Sequence, residues 1–545
     1  MTPTEKKEHL NHRIRLGFEL LATLYFLFIT VIYPLYLPGA TFHDLFLNRV
    51  SLLMGVTSVF AVVMGVGYFL FAGAFEVDGK RGAQQRLRGH DYALLVFALF
   101  LFLSAQFSPY VSIVWQPSSS QISFLDTFSV QFSYVLAFWI VSKFFVFRQW
   151  VLVVFAVASM ALTAMPLLQF LRVDVLGMVS RYGLEAFNPR FLVPIGNINI
   201  GSSYGGLFAA LFMGLYMATV GKLSLVYLVA AASGFLMLLL ANSQGGWLGL
   251  GGALFLALPY VLSKREYVAK LLIALSAFVG VALWRSVYVS GVAQAVQAGL
   301  LEVQSSDAWW LRNFSPLPVG LTLVAGVVLL ALGCGLLFWQ VKWPAKLLIK
   351  LGVIALPVSV VAGVVGLLII GPMFEDRGPR AIWEGYRILT GNAEYAFGHY
   401  RMLFWIAGLQ NVPNNPWLGT GPSTYFTAIS EAHAAYLMAN ANKDADLAHS
   451  RLIQIVVTLG VPALLSYVSF MALSYLRVAK RAFADPVVFA LGLGTLSYFV
   501  SSMVTVESPI VTPLFWVLLG AVVARVMRSE SPTQPNACAS DRAVV

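Results

Sequence analysis

The chain has 545 residues, of which 59% are hydrophobic and only 11% are charged, and its formal net charge is +11. Soluble domains contain about 25% charged residues, so this composition excludes a soluble protein. Repeated apolar runs of about 20 residues are long enough to cross a bilayer as helices, whereas barrel strands are short and alternate in polarity. We therefore expect an all-α polytopic membrane protein with about 12–14 transmembrane helices. The positive charge is interpreted as membrane sidedness, and no nucleic-acid partner is predicted.

Apolar runs of suitable length recur along the whole chain. The predicted spans lie near residues 16–37, 51–74, 92–109, 125–147, 149–171, 198–220, 223–241, 246–263, 270–290, 316–340, 347–371, 451–475, 486–505 and 509–527. The two cysteines, Cys334 and Cys538, are far apart in the chain and predict no disulfide framework.

The distribution of Lys and Arg predicts the orientation of these spans. With both termini in the cytoplasm, most basic residues fall on the cytoplasmic side, as the positive-inside rule requires. Two outer segments are exceptions: the one that carries Arg172, Arg181 and Arg190, and the long loop before the third-last span. We divide the chain into an N-terminal transmembrane bundle of about eleven spans (1–371), a large periplasmic loop (372–450), C-terminal spans (451–527) and a disordered cytoplasmic tail (528–545).

The long polar loop is the main candidate for a functional site, because loops of this length are uncommon unless they bind or react with something. Its arginines either pair with acidic residues of the same loop or form a pocket for an anionic group, for which guanidinium is well suited. The loop's basic and histidine residues are Arg377, Arg380, Arg387, Arg401, His399, His433 and His449, and its acidic residues are Glu375, Asp376, Glu384, Glu394 and Glu431.

Two local patterns stand out in this loop. Residues 399–412 carry apolar side chains at helical spacing and predict an amphipathic helix that begins near Arg401 and ends before Pro413. His449 precedes the predicted span 451–475, where the helix N-terminus and Arg451 both disfavour a protonated imidazole. A neutral histidine there is either a general base or a residue that caps the span.

The order of these motifs resembles a known family. The run Arg401-x3-Trp405 is followed by Pro416-x2-Gly419-x-Gly421-x4-Phe426 and by Ala448-His449-x2-Leu452-x7-Gly460. Together they resemble the domain shared by bacterial O-antigen ligases and O-antigen polymerases, a superfamily that also includes protein O-oligosaccharyltransferases. A looser resemblance extends through Asn197–Gly206 and Ser243–Gly246.

The resemblance implies a C-type glycosyltransferase fold and a reaction without metal or other cofactor. His449 matches the histidine that activates the acceptor hydroxyl, and Arg401 matches an arginine that holds the donor's pyrophosphate. Trp405, Gly419, Gly421 and Arg451 are expected to support the loop.

One position departs from the family pattern. The family commonly has Ser-Arg-Gly where this chain reads Ser243-Gln244-Gly245, so a second phosphate-binding arginine is missing. Gln244 can donate a hydrogen bond but carries no charge. We expect Arg190, or alternatively Arg285, to supply the charge.

The resemblance implies a glycosyltransferase in the bacterial inner membrane that acts at the periplasmic face. The expected partners are an undecaprenyl-pyrophosphate-linked glycan, an acceptor glycolipid or glycan, and the lipid bilayer. A ligase reaction in lipopolysaccharide or surface-polysaccharide biosynthesis is the first hypothesis. Alternatives are a repeat-unit polymerase, a protein O-glycosyltransferase and, from a different class, a polysaccharide or lipid-carrier transporter (flippase). Transport is less favoured because acidic residues are almost absent from the apolar runs.

Overall fold

In the computed structural model, the described residues are 2–39, 42–77, 80–115, 125–174, 177, 192–300, 317–339, 342–375, 380–430 and 447–530. Apart from one antiparallel pair of two-residue strands, Glu76–Val77 and Lys80–Arg81, the regular structure in these ranges is helical. The all-α fold predicted from composition is therefore confirmed. The predicted tail is described only up to residue 530.

The helices are numbered in chain order. The first eleven are α1 (Pro3–Leu35), α2 (Phe42–Leu70), α3 (Gly89–Gln106), α4 (Val111–Trp115), α5 (Phe128–Phe144), α6 (Gln149–Phe170), α7 (Ile198–Ala218), α8 (Lys222–Ala241), α9 (Gln244–Leu256), α10 (Leu258–Val261) and α11 (Arg265–Gln297). The remaining eight are α12 (Val319–Phe338), α13 (Ala345–Ile370), α14 (Arg380–Leu389), α15 (Phe397–Asn411), α16 (Arg451–Leu459), α17 (Val461–Ala482), α18 (Pro486–Ser502) and α19 (Thr512–Ser529).

Eleven helices of the described chain are long and apolar enough to cross a membrane, judged by length and composition. At a rise of about 1.5 Å per residue, 18 or more residues cover most of the hydrocarbon core. Two shorter apolar helices, α5 and α18, have 17 residues each. Counting them brings the number of candidate spans within the predicted range.

Two predicted spans are wrong in their bounds. The run 451–475 is not one helix, because the chain breaks at Gly460 into α16, which has nine residues, and α17. Gly460 has φ +87°, a conformation that glycine adopts easily, and Pro462 follows in the first turn of α17. The run 246–263 is likewise divided between α9, of 13 residues, and the short α10.

The centre of the bundle is formed by α7 and α19. In their most apolar 18-residue stretches, 89% and 83% of the residues are buried. Glycines allow α7 to approach its neighbours closely. A Cβ atom on Gly234 of α8 would lie 2.5 Å from the backbone nitrogen of Ala209, and one on Gly214 would lie 2.8 Å from the Cα of Ala490 in α18. Small residues at helix contacts are typical of packing within membranes.

Two apolar helices lie at the periphery. In the most apolar 18-residue stretches of α12 and α13, only 6% and 0% of the residues are buried. Their exposed side chains are nearly all aliphatic, which suits contact with lipid tails.

The bundle has two different polar ends. One end, called the terminal end, holds the first half of α1 and the end of α19, because Arg528 near the end of α19 pairs with Glu19 of α1 at 3.3 Å. Further ion pairs at this end are Arg88–Glu530, Lys143–Asp91, Arg148–Glu19, Arg477–Glu530 and Arg525–Asp485. Since α19 begins at Thr512 on the opposite side, the loop before it, which contains Glu507, lies at the other end.

Candidate active site

A cleft with an empty volume of about 240 Å³ opens at the end of the bundle opposite the termini. It forms where the segment before α5, the start of α16 and the loop between α18 and α19 meet. Its lining residues are Asp126, Leu447, His449, Ser450, Arg451, Gln454, Thr505, Val506 and Glu507. The sequence-predicted His449 therefore faces a cavity shared with polar groups from three separate parts of the chain.

His449 is held in an unusual backbone conformation. Its φ is +52°, a left-handed geometry that costs a non-glycine residue about 1–2 kcal/mol. The neighbouring Ala448 anchors it on both sides: the Trp405 Nε1–H donates to the Ala448 carbonyl at 2.8 Å, and the Ala448 N–H donates to Gln454 Oε1 at 2.8 Å. The His449 ring stacks on Phe404 with centroids 6.2 Å apart. Strained backbone retained by such contacts is typical of functional sites.

The predicted helix in the long loop is present as α15 and is the element against which His449 rests. Its buried face is formed by Leu403, Phe404 and Ala407, which pack with Tyr425 and Val457 among others, whereas Leu409 is 50% exposed. The Trp405 contact with Ala448 connects α15 to the segment that carries His449, and the supporting role of this tryptophan stays a prediction.

Arg401 lies one turn before Trp405 on the same side of α15. Among the described residues it has no ion pair or hydrogen bond, and burial lowers the pKa of its guanidinium. Arg387 is different, because its guanidinium pairs with Glu394. Arg387 is therefore neutralised within the loop, whereas no acidic partner of Arg401 is found in the described part of the chain. Arg401 is not among the described residues that line the cleft itself.

Arg451 is buried in an ion network rather than exposed to the cleft as a free cation. It pairs with Asp126 at 3.5 Å and with Glu507 at 3.2 Å, and it donates to Gln131 Oε1 at 3.0 Å. Although burial acts to lower the pKa of Arg451, these carboxylates outweigh burial and raise it. The network joins the start of α16 to α5 and to the loop before α19.

Asp126 and Glu507 were not predicted as site residues. Both precede apolar helices, and burial raises the pKa of Asp126 to about 6 and that of Glu507 to about 7, with Arg451 acting in the opposite direction. The sequence offers little signal for them, since other apolar helices also have acidic residues at their ends, such as Asp91 and Asp485. Their shared partner, Arg451, is more than 300 positions from Asp126 in the chain and cannot be identified by spacing.

Gly419 and Gly421 hold the turn after α15 against α16. The N–H of Thr420 donates to the Val457 carbonyl at 3.1 Å and that of Gly421 to the Thr458 carbonyl at 2.8 Å. Gly419 has φ +64°, and a Cβ atom there would lie 2.3 Å from the Thr458 carbonyl carbon. A side chain at Gly419 would thus push the turn away from α16, whereas a Cβ atom on Gly421 would lie 2.6 Å from Ser108 Oγ, just after α3.

Gln244 is the exposed first residue of α9, and it lies close to the cleft. The adjacent Gly245 packs so tightly on Thr505 that a Cβ atom would clash with the threonine methyl group, and Thr505 lines the cleft. Hydrogen bonds from Ser243 to Asn199 (2.6 Å) and from Ser202 to Ser243 (2.7 Å) hold the starts of α7 and α9 together.

The two candidates for the missing charge have different outcomes. Arg190 lies outside the described residues. Arg285 is buried in α11, one turn before Val289, which packs with Leu240 near the end of α8. This places Arg285 on the side of α11 that faces the α8–α9 connection, while its role stays a prediction.

Among the described residues, no group of three or more His, Cys, Asp or Glu side chains is arranged to hold a metal ion. Metal independence itself remains an expectation from the family resemblance.

The fold and the cleft define a polytopic α-helical membrane protein with a histidine-containing polar site at one end of its bundle. Residues 319–468 match the family described as O-antigen ligase, which confirms the resemblance to the O-antigen ligase superfamily. The matched range runs from α12 into α17 and contains Arg401, Trp405, Gly419, His449 and Arg451. No curated protein matches the chain. The match of residues 319–468 thus supports a membrane glycan-ligase and polymerase family.

Proposed function

We propose that this protein is a metal-independent membrane glycosyltransferase that moves a glycan from an undecaprenyl-pyrophosphate carrier to an acceptor hydroxyl. The observation that carries the proposal is the placement of His449: strained backbone, a stacked ring and a cleft position, all next to the helix that carries Arg401. Such a juxtaposition suits a base beside an anion-binding group.

In the proposed reaction, His449 removes the proton of the acceptor hydroxyl as its oxygen attacks the anomeric carbon of the donor sugar. The bond from that carbon to the pyrophosphate oxygen breaks, and the bonding electron pair leaves with the pyrophosphate. Arg401 stabilises the negative charge that develops on the departing group. A partly buried guanidinium that has no counterion among the described residues is suited to this role, because an anionic ligand offsets the cost of its desolvation.

The remaining charge on the pyrophosphate needs a second partner. Gln244 is the exposed first residue of α9, where the helix dipole favours an anion. We propose that Gln244 donates a hydrogen bond there and that Arg190 or Arg285 contributes the charge that the family's arginine supplies elsewhere.

We further propose that the cleft faces the periplasm and both termini face the cytoplasm of a bacterial inner membrane. The concentration of Lys and Arg at the terminal end of the bundle supports this orientation.

A ligase is favoured over a repeat-unit polymerase by the description of the matched family alone. A deletion strain separates the two, since loss of a ligase leaves long carrier-linked chains and loss of a polymerase leaves single repeat units. A protein O-glycosyltransferase would instead leave a Ser or Thr acceptor unmodified. Transport is disfavoured because Asp126 and Glu507 lie at the end of the bundle, outside the helices that contain the spans.

The base assignment is tested with His449→Ala. We expect transfer to fall by about 10²-fold or more, because general base catalysis contributes that much, while the protein remains folded in the membrane. The readout is surface polysaccharide in a complemented deletion strain, with His12→Ala, an exposed position near the N-terminus, as the matched control. Normal polysaccharide from the His449 variant would refute its role.

A further inference from the structure

The proposed transfer leaves one proton to be accounted for. Once His449 has taken the proton of the acceptor hydroxyl, the imidazolium must lose it before the next turnover. The groups that line the same cleft include two carboxylates, those of Asp126 and Glu507. Their surroundings differ in a way that separates their roles.

Asp126 has both carboxylate oxygens engaged. Its Oδ1 faces Arg451 at 3.5 Å, and its Oδ2 accepts a hydrogen bond from Gln454 Nε2 at 2.7 Å. Gln454 in turn accepts from the Ala448 N–H beside His449. Asp126 is therefore part of the structure that holds the cleft together.

The carboxylate of Glu507 has fewer polar contacts than that of Asp126. Its Oε2 lies 3.2 Å from Arg451 Nε, and among the described residues the carboxylate accepts no hydrogen bond. The loop that carries it is fixed, because the Tyr33 hydroxyl donates to the Pro509 carbonyl at 2.7 Å and the Ser508 N–H donates to Thr512 Oγ1 at 3.1 Å. A carboxylate with spare acceptor capacity is thus held rigidly at the wall of the cleft.

The charge balance around Glu507 favours proton exchange near neutral pH. Two carboxylates share one guanidinium, and burial adds to the cost of ionising both. The titratable and charged groups that surround Glu507 are Arg451, Asp126, His449, Tyr33, Tyr134, Tyr467 and Tyr498. Burial, opposed by Arg451 and reinforced by Asp126, raises the pKa of Glu507 to about 7.

We propose that Glu507 accepts the proton that His449 removes from the acceptor hydroxyl and passes it to solvent. Glu507 is then a second proton acceptor, which acts through His449. This inference rests on the proposed glycosyl transfer. The proton moves from hydroxyl to imidazole, then to the carboxylate directly or through water in the cleft, and finally to bulk water, which restores both groups.

The test is Glu507→Gln, with Glu394→Gln, an exposed glutamate of the long loop, as the matched control. Purified protein is mixed with membranes of the deletion strain, which supply that strain's own lipid-linked glycan and acceptor, and the rate is measured against pH. We expect E507Q to lower kcat about tenfold or more at neutral pH, with KM for the donor within about twofold. Glu507→Asp should restore part of the rate.

The pH profile separates a proton acceptor from a purely structural residue. Both His449 and Glu507 must be unprotonated in the proposed sequence, so log kcat of the wild type should rise with a slope of two below both pKa values and with a slope of one in E507Q. Asp126→Asn removes a neighbouring negative charge and lowers the pKa of Glu507, so the acid limb should move to lower pH.

Three results would overturn the inference. An E507Q protein with an unchanged rate and slope would show that Glu507 only neutralises Arg451. If E507Q does not fold, the pH profile of D126N decides. An acid limb at the same pH as in the wild type would refute proton acceptance by Glu507. A wild-type protein that converts no lipid-linked glycan would refute the proposed function, and this inference with it, whereas an active wild type beside an unaffected E507Q refutes this inference alone.

Discussion

At the scale of single residues, Arg401 stands out because its guanidinium has no ion pair or hydrogen bond with any residue in the described ranges. The guanidinium fork binds a phosphate through two parallel hydrogen bonds, whereas lysine offers a point charge. We expect Arg401→Lys to raise KM for the lipid-linked donor and to lower kcat/KM by about tenfold or more. Kinetics with deletion-strain membranes provide the measurement.

Arg387→Lys is the matched control for this substitution, because Arg387 lies in the same loop but pairs with Glu394. Its activity should stay close to that of the wild type. Equal effects of the two substitutions would argue against a pyrophosphate contact at Arg401.

Arg451 neutralises two buried carboxylates, and its removal should be costly. Arg451→Met leaves Asp126 and Glu507 without their cation, and breaking a buried pair in this way costs about 3–5 kcal/mol. The pKa values of these acids are raised in the folded state, so their ionisation destabilises the protein as pH rises through about 6 and 7. We therefore expect the variant to be less stable at pH 8 than at pH 5.

Thermal unfolding in detergent across this pH range checks the prediction. The wild type, in which Arg451 is present, should show a weaker dependence on pH. An Arg451 variant as stable as the wild type at pH 8 would show that the network contributes little to folding.

Single residues were predicted where local chemistry was distinctive. His449 and Trp405 belong to a motif with a recognisable order; His449 lines the cleft, and Trp405 donates to the carbonyl of the neighbouring Ala448. Asp126 and Glu507 could not be placed, because what gives them a shared environment is Arg451, and only the folded chain brings those three residues together. Distant charge partners leave no periodic signal in a sequence.

At the scale of helices, the sequence predicted their existence better than their interruptions. The run from Arg451 to Tyr475 is continuously apolar enough to resemble one span, yet the chain divides it at Gly460. The Gly-Val-Pro sequence contained the signal, since a glycine followed by a proline favours a break. The consequence is functional: the separate α16 allows His449 to sit at the N-terminus of a short helix that packs against α15.

The contact between this break and the preceding turn provides a test at the same scale. A Cβ atom on Gly460 would lie 2.5 Å from the Trp417 carbonyl oxygen, and the backbone there has positive φ. We expect Gly460→Ala to destabilise the protein by more than about 1 kcal/mol and to reduce transfer, because the turn that supports α16 must move.

Gly363→Ala is the corresponding control, since Gly363 lies in the peripheral α13 with nothing within 4 Å of an added Cβ. Unfolding in detergent and transfer in membranes should both stay close to the wild type. Full activity of the Gly460 variant would mean that the break does not position His449.

At the scale of the whole molecule, the proposed orientation has a direct test. In a background with Cys334→Ser and Cys538→Ser, Trp417→Cys introduces a thiol at a 73% exposed position of the long loop, and Lys7→Cys introduces one near the N-terminus. With the proposed topology, a membrane-impermeant maleimide should label only the loop cysteine in spheroplasts. Labelling of the N-terminal cysteine instead would place the cleft in the cytoplasm.

The ion network around Arg451 limits which segments of this protein can be exchanged with those of a relative. The family match ends at residue 468, and Arg451 lies inside it, but Asp126 and Glu507 lie outside on either side. The matched segment therefore contains the buried cation but neither of the two acids that neutralise it. Grafting residues 319–468 onto a relative's scaffold would transplant a buried cation without its acids, so a working chimera must carry those two positions along with the segment.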